Sequence, residues 1–297
     1  DKVLWLLSMS YHFAVSIVAY ISFGASIVLA RNHFAKSLIE ACNRYGITLI
    51  YGAPMHYELM AHESGSDRLP SLRLAISTTI ALNRNTVEAF DRRFGHTLSQ
   101  ALGVIEIGLP CIDLHMRPDK WGSVGKLLPA YELRMEDVGL GDELRRIKFR
   151  GKGFFDAYYD PWRPREEVMA DGWFDTGDLG VLDPDGYLFI QGRGKDIINV
   201  AGMKFFPQEV ESILNTYPGV QESCVFSHKH ELFGEVPHAQ VVLGDWGGES
   251  FSEAELKEFL GKHLAHYKIP EQIEVVAELV RTASGKIVRD EQRIKSR

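Results

Sequence analysis

Cysteine is scarce: Cys42, Cys111 and Cys224 are the only three in 297 residues, and they stand singly. That spacing excludes a cysteine-rich zinc framework and suits a reducing compartment, so the expected location is cytoplasmic. Histidine spacing shows no metal site either. Positive charge is not concentrated anywhere: 33 Lys+Arg face 40 Asp+Glu, for a formal net charge of -7. A chain without a basic block is not expected to take nucleic acid as a partner. There is no internal repeat and no low-complexity tract. One long apolar run exists, residues 13–30, but Gly24 splits it and serines dot it. The expectation is a buried helix followed by a buried strand, with no integral membrane insertion. The chain opens on Asp1-Lys2 without a Met or a signal peptide, which suggests a fragment of a longer protein.

What is present is ordinary for an enzyme, and 297 residues suffice for one large core plus a smaller domain. From Ser26 the pattern alternates. SIVLA, ITLIYG, LRLAIS and TLSQAL read as strands, and AKSLIEACNRYG, PMHYELMAHE and NTVEAFDRRFG read as the helices between them. Strict succession of strand and helix predicts a mostly parallel sheet with flanking helices on both faces. Ligands bind such sheets beyond the carboxyl ends of the strands, which directs attention to loops 77–82 and 102–110.

Between residues 121 and 191 helical periodicity gives way to short β runs, predicting a β subdomain. Its last part, residues 171–211, concentrates glycines, carboxylates and an Arg/Lys pair. Asp183-Pro-Asp-Gly186 reads as a turn between GVL and YLFI, so Asp178 and Arg193 fall near the outer ends of a hairpin. A carboxylate and a guanidinium placed there could bind a ribose diol and an anion. Gly192-Arg-Gly194 frees the backbone where a hinge could sit. Beyond Lys195 a small α+β unit follows, with helices at residues 207–217 and 252–266. Its strands are ESCVFSH, PHAQVVLG and one near QIEVVAE, and the basic tail SGKIVRDEQRIKSR looks flexible. The predicted division is 1–194 and 195–297.

Four stretches, GSVGKLLP, DGWFDTGDLGVLDPDGYLFIQGRGKDII, GMKFFPQEVE and RTASGKIVR, stand in the order and spacing of the adenylate-forming superfamily. The chain resembles the acyl-CoA and aryl-CoA synthetases of that superfamily along essentially its whole length. The resemblance implies ATP-dependent activation of a fatty or aryl carboxylic acid to an acyl-AMP and its transfer to coenzyme A, with Mg²⁺ assisting. Coenzyme A or a separate acyl carrier protein would be the acceptor. It implies that Asp178 binds the ribose hydroxyls and Arg193 the ribose and phosphate side, which suits a carboxylate facing a diol and a guanidinium fork facing an anion. Ile190 and Leu102 would lie beside the adenine, and Thr79 and Ile80 would also border the nucleotide. Lys286 would reach the carboxylate and α-phosphate, and Glu106 would help hold Mg²⁺. Lys195 would be the hinge, and Gly202, Met203 and Lys204 would line the thiol entrance. His12, Thr78 and Gly103 would belong to the acyl pocket.

The same comparison exposes departures. The motif around Glu106 usually carries an aromatic at Leu102 and a threonine at Ile105, and STTIAL replaces a glycine-rich, proline-containing loop, so that Thr78 would narrow the acyl pocket. No Gly-rich Ser/Thr loop ending in Lys is present to cradle the β- and γ-phosphates. The expectation is therefore a truncated piece that is a poor or inactive ligase as it stands. Peptide-synthetase relatives would show an aspartate near Met9, where this chain has Ser8-Met-Ser-Tyr-His12. Two functions stay open: a ligase activating an acid in the parent protein, and a non-catalytic adenylate-fold module binding nucleotide, acyl ligand or a partner.

Overall fold

A computed structural model describes residues 1–114, 117–140, 143–244, 252–282 and 286–295. The chain forms two compact units. Asp1–Glu136, Ile147–Thr176 and Val181–Ile190 make the first, and Asp137–Arg146, Gly177–Gly180 and Gln191–Arg297 the second.

The first unit is built on a seven-stranded sheet of β1 (Lys2–Trp5), β2 (Ser26–Leu29), β3 (Leu49–Gly52), β4 (Leu74–Ser77), β5 (Leu98–Val104), β6 (Gly108–Asp113) and β7 (Lys126–Leu127), in the order β2-β1-β3-β4-β5-β6-β7. Strands β1 to β5 pair in parallel, and β6 and β7 add antiparallel partners. Successive side chains of a strand point to opposite faces, and the sequence fills both with apolar groups. Leu4 and Ile50 enter one cluster with Leu38, Ile39, Tyr57, Met60 and Phe90 from the helices Ala35–Tyr45, Pro54–Ala61 and Arg84–Phe94. Their neighbours Val3, Trp5, Leu49 and Tyr51 enter the opposite cluster with Ile17.

Residues 13–30 form a helical stretch followed by a strand, as expected, but little of it is buried among the described side chains. The segment is helical in three short pieces, Met9–His12, a π-helical Phe13–Val18 and Ala19–Ser22, before β2. Ile17 is buried, whereas Phe13, Val18, Ile21, Phe23 and Leu29 are exposed. Helical pitch lets only one stripe of such a segment face the sheet, and β2 sits at the sheet edge. No helix among the described residues is long and apolar enough to cross a membrane.

A four-stranded sheet carries the expected β region, with β8 (Tyr131–Asp137), β9 (Arg145–Gly151), β12 (Phe174–Leu182) and β13 (Leu188–Arg193) in the order β13-β12-β9-β8; a two-stranded ribbon of β10 (Ala157–Tyr158) and β11 (Arg163–Pro164) stands apart. The predicted turn closes as expected. Gly186 N–H donates to the Asp183 carbonyl at 2.9 Å and Tyr187 N–H to its carboxylate at 2.8 Å. Lys120 pairs with Asp183 at 2.7 Å and also with Asp185, offsetting part of the turn's negative charge.

The second unit's main sheet holds β14 (Ile198–Val200), β15 (Met203–Phe205), β16 (Val220–His230), β17 (Gly234–Leu243) and β18 (Gln272–Val275). Helices Pro207–Leu214 and Glu253–Gly261 pack on it through Val210, Leu214, Leu256 and Leu260, both ending earlier than their sequence periodicity predicts. The tail is not the loose basic segment it resembles in sequence. Ile294 is buried with Cys224, Phe226 and Leu279, and Arg289 is tied to Glu211 at 2.7 Å.

Candidate functional site

Asp178 and Arg193 are brought together. Arg193 Nε lies 3.4 Å from Asp178 Oδ1, and the carboxylate side chain is only 13% exposed against 48% for its partner. A mostly buried carboxylate held by a more exposed guanidinium is oriented while the fork remains reachable, as binding a diol beside an anion requires. Gly192 matters to this placement because a Cβ there would sit 2.5 Å from the Phe206 ring. Lys195 follows in the exposed 3₁₀ turn Gly194–Asp196.

The hairpin β14–β15 turns on Ala201 and Gly202, at φ of 50° and 93°, between the paired residues Val200 and Met203. Two successive positive φ values are the two-residue turn whose twist matches paired strands, and glycine takes the second without strain. Gly202 N–H donates to Asn199 Oδ1 at 2.9 Å, and Met203 and Lys204 are exposed beside the turn. Gly202, Asn199, His230 and Phe233 line a cavity of ≈ 580 Å³. Lys286 is exposed in the same unit, its N–H donating to Thr282 Oγ1 at 3.2 Å; residues 283–285, which include the Ser and Gly of its Ser-Gly-Lys motif, lie outside the described residues.

In the first unit His12 and Thr78 converge on a residue that sequence reasoning missed, Tyr51, and Gly103 lies beside Thr78. Its hydroxyl bonds to Ser16 and Thr78, and burial followed by the nearby Tyr20 pushes its pKa well above the ordinary value. The Tyr51 ring stacks on Trp5 at 4.7 Å and 8°, with His12 edge-on to both at 6.2 and 5.5 Å. Burial lowers the His12 pKa, which favours a neutral ring at pH 7. A Cβ on Gly103 would meet Thr78 Oγ1 at 3.3 Å. Trp5, Tyr51, Thr78 and Gly103 all lie at the carboxyl ends of β1, β3, β4 and β5, where an open α/β sheet binds its ligand. Apolar strand residues read as ordinary core, so the only available signal for Tyr51 was its position at the end of ITLIYG.

Thr79 adopts φ 82°, a left-handed conformation costly for a β-branched residue, and Ile80 is 54% exposed. The Ser77 hydroxyl beside them is buried without a hydrogen-bond partner among the described residues. Leu102 and Ile190 both pack, half-buried, on the cluster of Ile107, Phe149 and Leu188. Glu106 accepts a hydrogen bond from the Tyr158 hydroxyl at 2.7 Å. Burial and then Glu106 push that phenol up to about 12, which keeps it protonated as a donor. No cluster of three or more His, Cys, Asp or Glu side chains able to hold a metal occurs among the described residues.

A mixed α/β first unit and a small α+β second unit are the architecture of the adenylate-forming class of protein. The model of the AMP-binding enzyme family matches residues 1–159, and that of the AMP-binding enzyme C-terminal domain matches residues 209–286. The chain belongs to this family. It is 29% identical over 312 residues to 4-coumarate–CoA ligase 3 of Oryza sativa subsp. japonica, covering 99% of this chain and 55% of the relative. It is 36% identical over 195 residues to 2-succinylbenzoate–CoA ligase of Listeria monocytogenes, covering 65% and 40%. Among solved structures, o-succinylbenzoate CoA synthetase of Bacillus subtilis with its acyl-adenylate intermediate superposes with a TM-score of 0.86 at 27% identity, over 99% of this chain and 60% of that one. ATP-bound MatB of Rhodopseudomonas palustris gives 0.84 at 28%, over 100% and 60%. The chain thus spans about half the length of the curated relatives it matches.

Proposed function

We propose that the whole protein is an AMP-forming acid–thiol ligase that activates an aryl carboxylic acid with ATP and transfers the acyl group to coenzyme A. The buried Asp178 carboxylate paired with Arg193 carries this reading, because it provides acceptors for a ribose diol beside a cationic fork. A substrate carboxylate oxygen attacks the α-phosphorus, the bond to pyrophosphate breaks, and Lys286 neutralises the crowded negative charge. The thiol sulfur of coenzyme A then attacks the acyl carbon, AMP leaves with the bonding pair, and the thiol proton passes to solvent. Ile190 and Leu102 flank the adenine, and Thr79 and Ile80 border the nucleotide. Glu106 would hold Mg²⁺, which when bound would supply positive charge to screen the phosphates. Residues 1–194 and 195–297 act as the two domains, with Lys195 as pivot. Gly202, Met203 and Lys204 form the thiol entrance, supported by the cavity beside Gly202. The CoA ligases among the relatives favour coenzyme A over a carrier protein.

The aromatic cluster of Trp5, His12, Tyr20 and Tyr51 supports an aryl rather than a long fatty acid in the acyl pocket, since ring faces and edges pack well on a flat aromatic acid. Thr78 narrows the pocket. Thr78→Gly is expected to shift preference toward longer acids by about tenfold or more in the ratio of kcat/KM values, at the usual worth of about 1–3 kcal/mol per methylene in a fitted pocket. An unchanged ratio would remove Thr78 from the pocket. Pyrophosphate release by the whole protein, over aryl and fatty acids with and without coenzyme A, tests the function itself. Release with at least one acid is the expected result. Silence across the panel while ATP still binds would leave the non-catalytic module as the function.

A further inference from the structure

The segment that carries Lys286 is held at both feet by arginine–glutamate pairs. Five residues before Lys286, Arg281 Nη2 donates to both oxygens of Glu222 on β16, at 2.6 and 2.7 Å. Three residues after it, Arg289 donates through Nε and Nη2 to the two oxygens of Glu211, at 3.1 and 2.7 Å. Glu211 also accepts from Val225 N–H on β16 at 2.8 Å, so its carboxylate joins the helix Pro207–Leu214, the central sheet and the Lys286 segment. On either side of residues 283–285 the chain is paired with itself: Arg281 bridges Ile287, Thr282 N–H donates to the Lys286 carbonyl at 2.8 Å, and Val288 N–H donates to the Val280 carbonyl at 2.8 Å.

We propose that these two pairs, above all the Arg289–Glu211 fork, are a clamp that fixes where Lys286 is presented for adenylation, with Glu211 and Arg289 as its positioning residues; this rests on Lys286 being the adenylation lysine. A buried ion pair is a poor way to add stability, because desolvating both charges offsets most of their attraction. Its merit is geometry: a bidentate fork fixes distance and angle together. The Glu211 and Arg289 side chains are 10% and 21% exposed, so this fork is shielded, whereas Arg281–Glu222 is more open at 36% and 44%. Lysine has a long flexible stem that loses rotamer entropy when immobilised, so its backbone has to be set by something else. A misplacement of about 1 Å in a reacting group costs on the order of 10²-fold in rate, the scale on which such a clamp matters.

The test compares Glu211→Gln and Arg289→Lys in the whole protein. Two half-reactions are measured separately, pyrophosphate release during adenylation and thioester formation from supplied acyl-AMP. Gln cannot accept both guanidinium donors, so Glu211→Gln should lower the adenylation kcat by about tenfold or more while thioester formation stays within about twofold of the parent. Arg289→Lys keeps the cation and loses the fork, and should fall between the two. Thioester formation reports folding of the same unit without requiring Lys286. Parallel loss of both half-reactions would show a merely structural pair and overturn the proposal, as would an unchanged adenylation kcat in Glu211→Gln. Lys286→Ala separates the two levels: if it stops adenylation and Glu211→Gln does not, the clamp falls and the ligase reading stands, whereas an undiminished Lys286→Ala overturns the assignment on which both rest.

Discussion

Lys286→Ala is expected to lower the rate of acyl-AMP formation by about 10²–10³-fold, the usual loss when a single positioned group that stabilises developing charge is removed, and to spare thioester formation from supplied acyl-AMP. The asymmetry follows from the charges. In the first step one anion attacks another, and only a cation at the α-phosphate lowers that repulsion. In the second step a neutral acyl carbon is attacked and AMP departs, so the lysine has no comparable work. Lys286 is exposed on a segment whose feet are anchored, which suits a charge that must be presented rather than buried. Single-turnover assays of the two half-reactions check this. Equal loss in both would contradict the division of labour between Lys286 and the Gly202 hairpin.

Asp178→Ala should produce the other large effect, a fall of about 10²-fold or more in kcat/KM for ATP, because each hydrogen bond to a charged group is worth about 1.5–3 kcal/mol and the ribose offers two hydroxyls. The change also leaves the Arg193 guanidinium without the carboxylate that now stands 3.4 Å away. Asp178→Asn, which keeps the shape and one acceptor, should lose less. Calorimetric titration with AMP provides an independent reading, and equal affinity in the parent and Asp178→Ala would remove Asp178 from the ribose.

The parallel sheet was legible because periodicity and turn chemistry agree over each strand–helix step, and the Asp178–Arg193 pair was legible because a tight turn fixes which residues of a hairpin face one another. Residues 13–30 misled because composition registers apolar content and not how much of a helix the sheet can cover. Tyr51 stayed hidden because an aromatic residue in a buried strand looks like core, and only its position at the strand end and the hydroxyls of Ser16 and Thr78 distinguish it. The Glu211–Arg289 fork joins residues 78 apart, a pairing no local pattern encodes. The basic tail looked loose for the same reason, since its partners lie on a distant helix and strand.

The central claim is that one site makes an acyl-adenylate and then consumes it. Mass spectrometry of the whole protein incubated with ATP, Mg²⁺ and an aryl acid, before and after coenzyme A is added, tests it most directly. Acyl-AMP and pyrophosphate are expected first, then conversion of the acyl-AMP to acyl-CoA with release of AMP. ADP and phosphate in place of AMP and pyrophosphate, or acyl-CoA formed with no adenylate at any time, would contradict it.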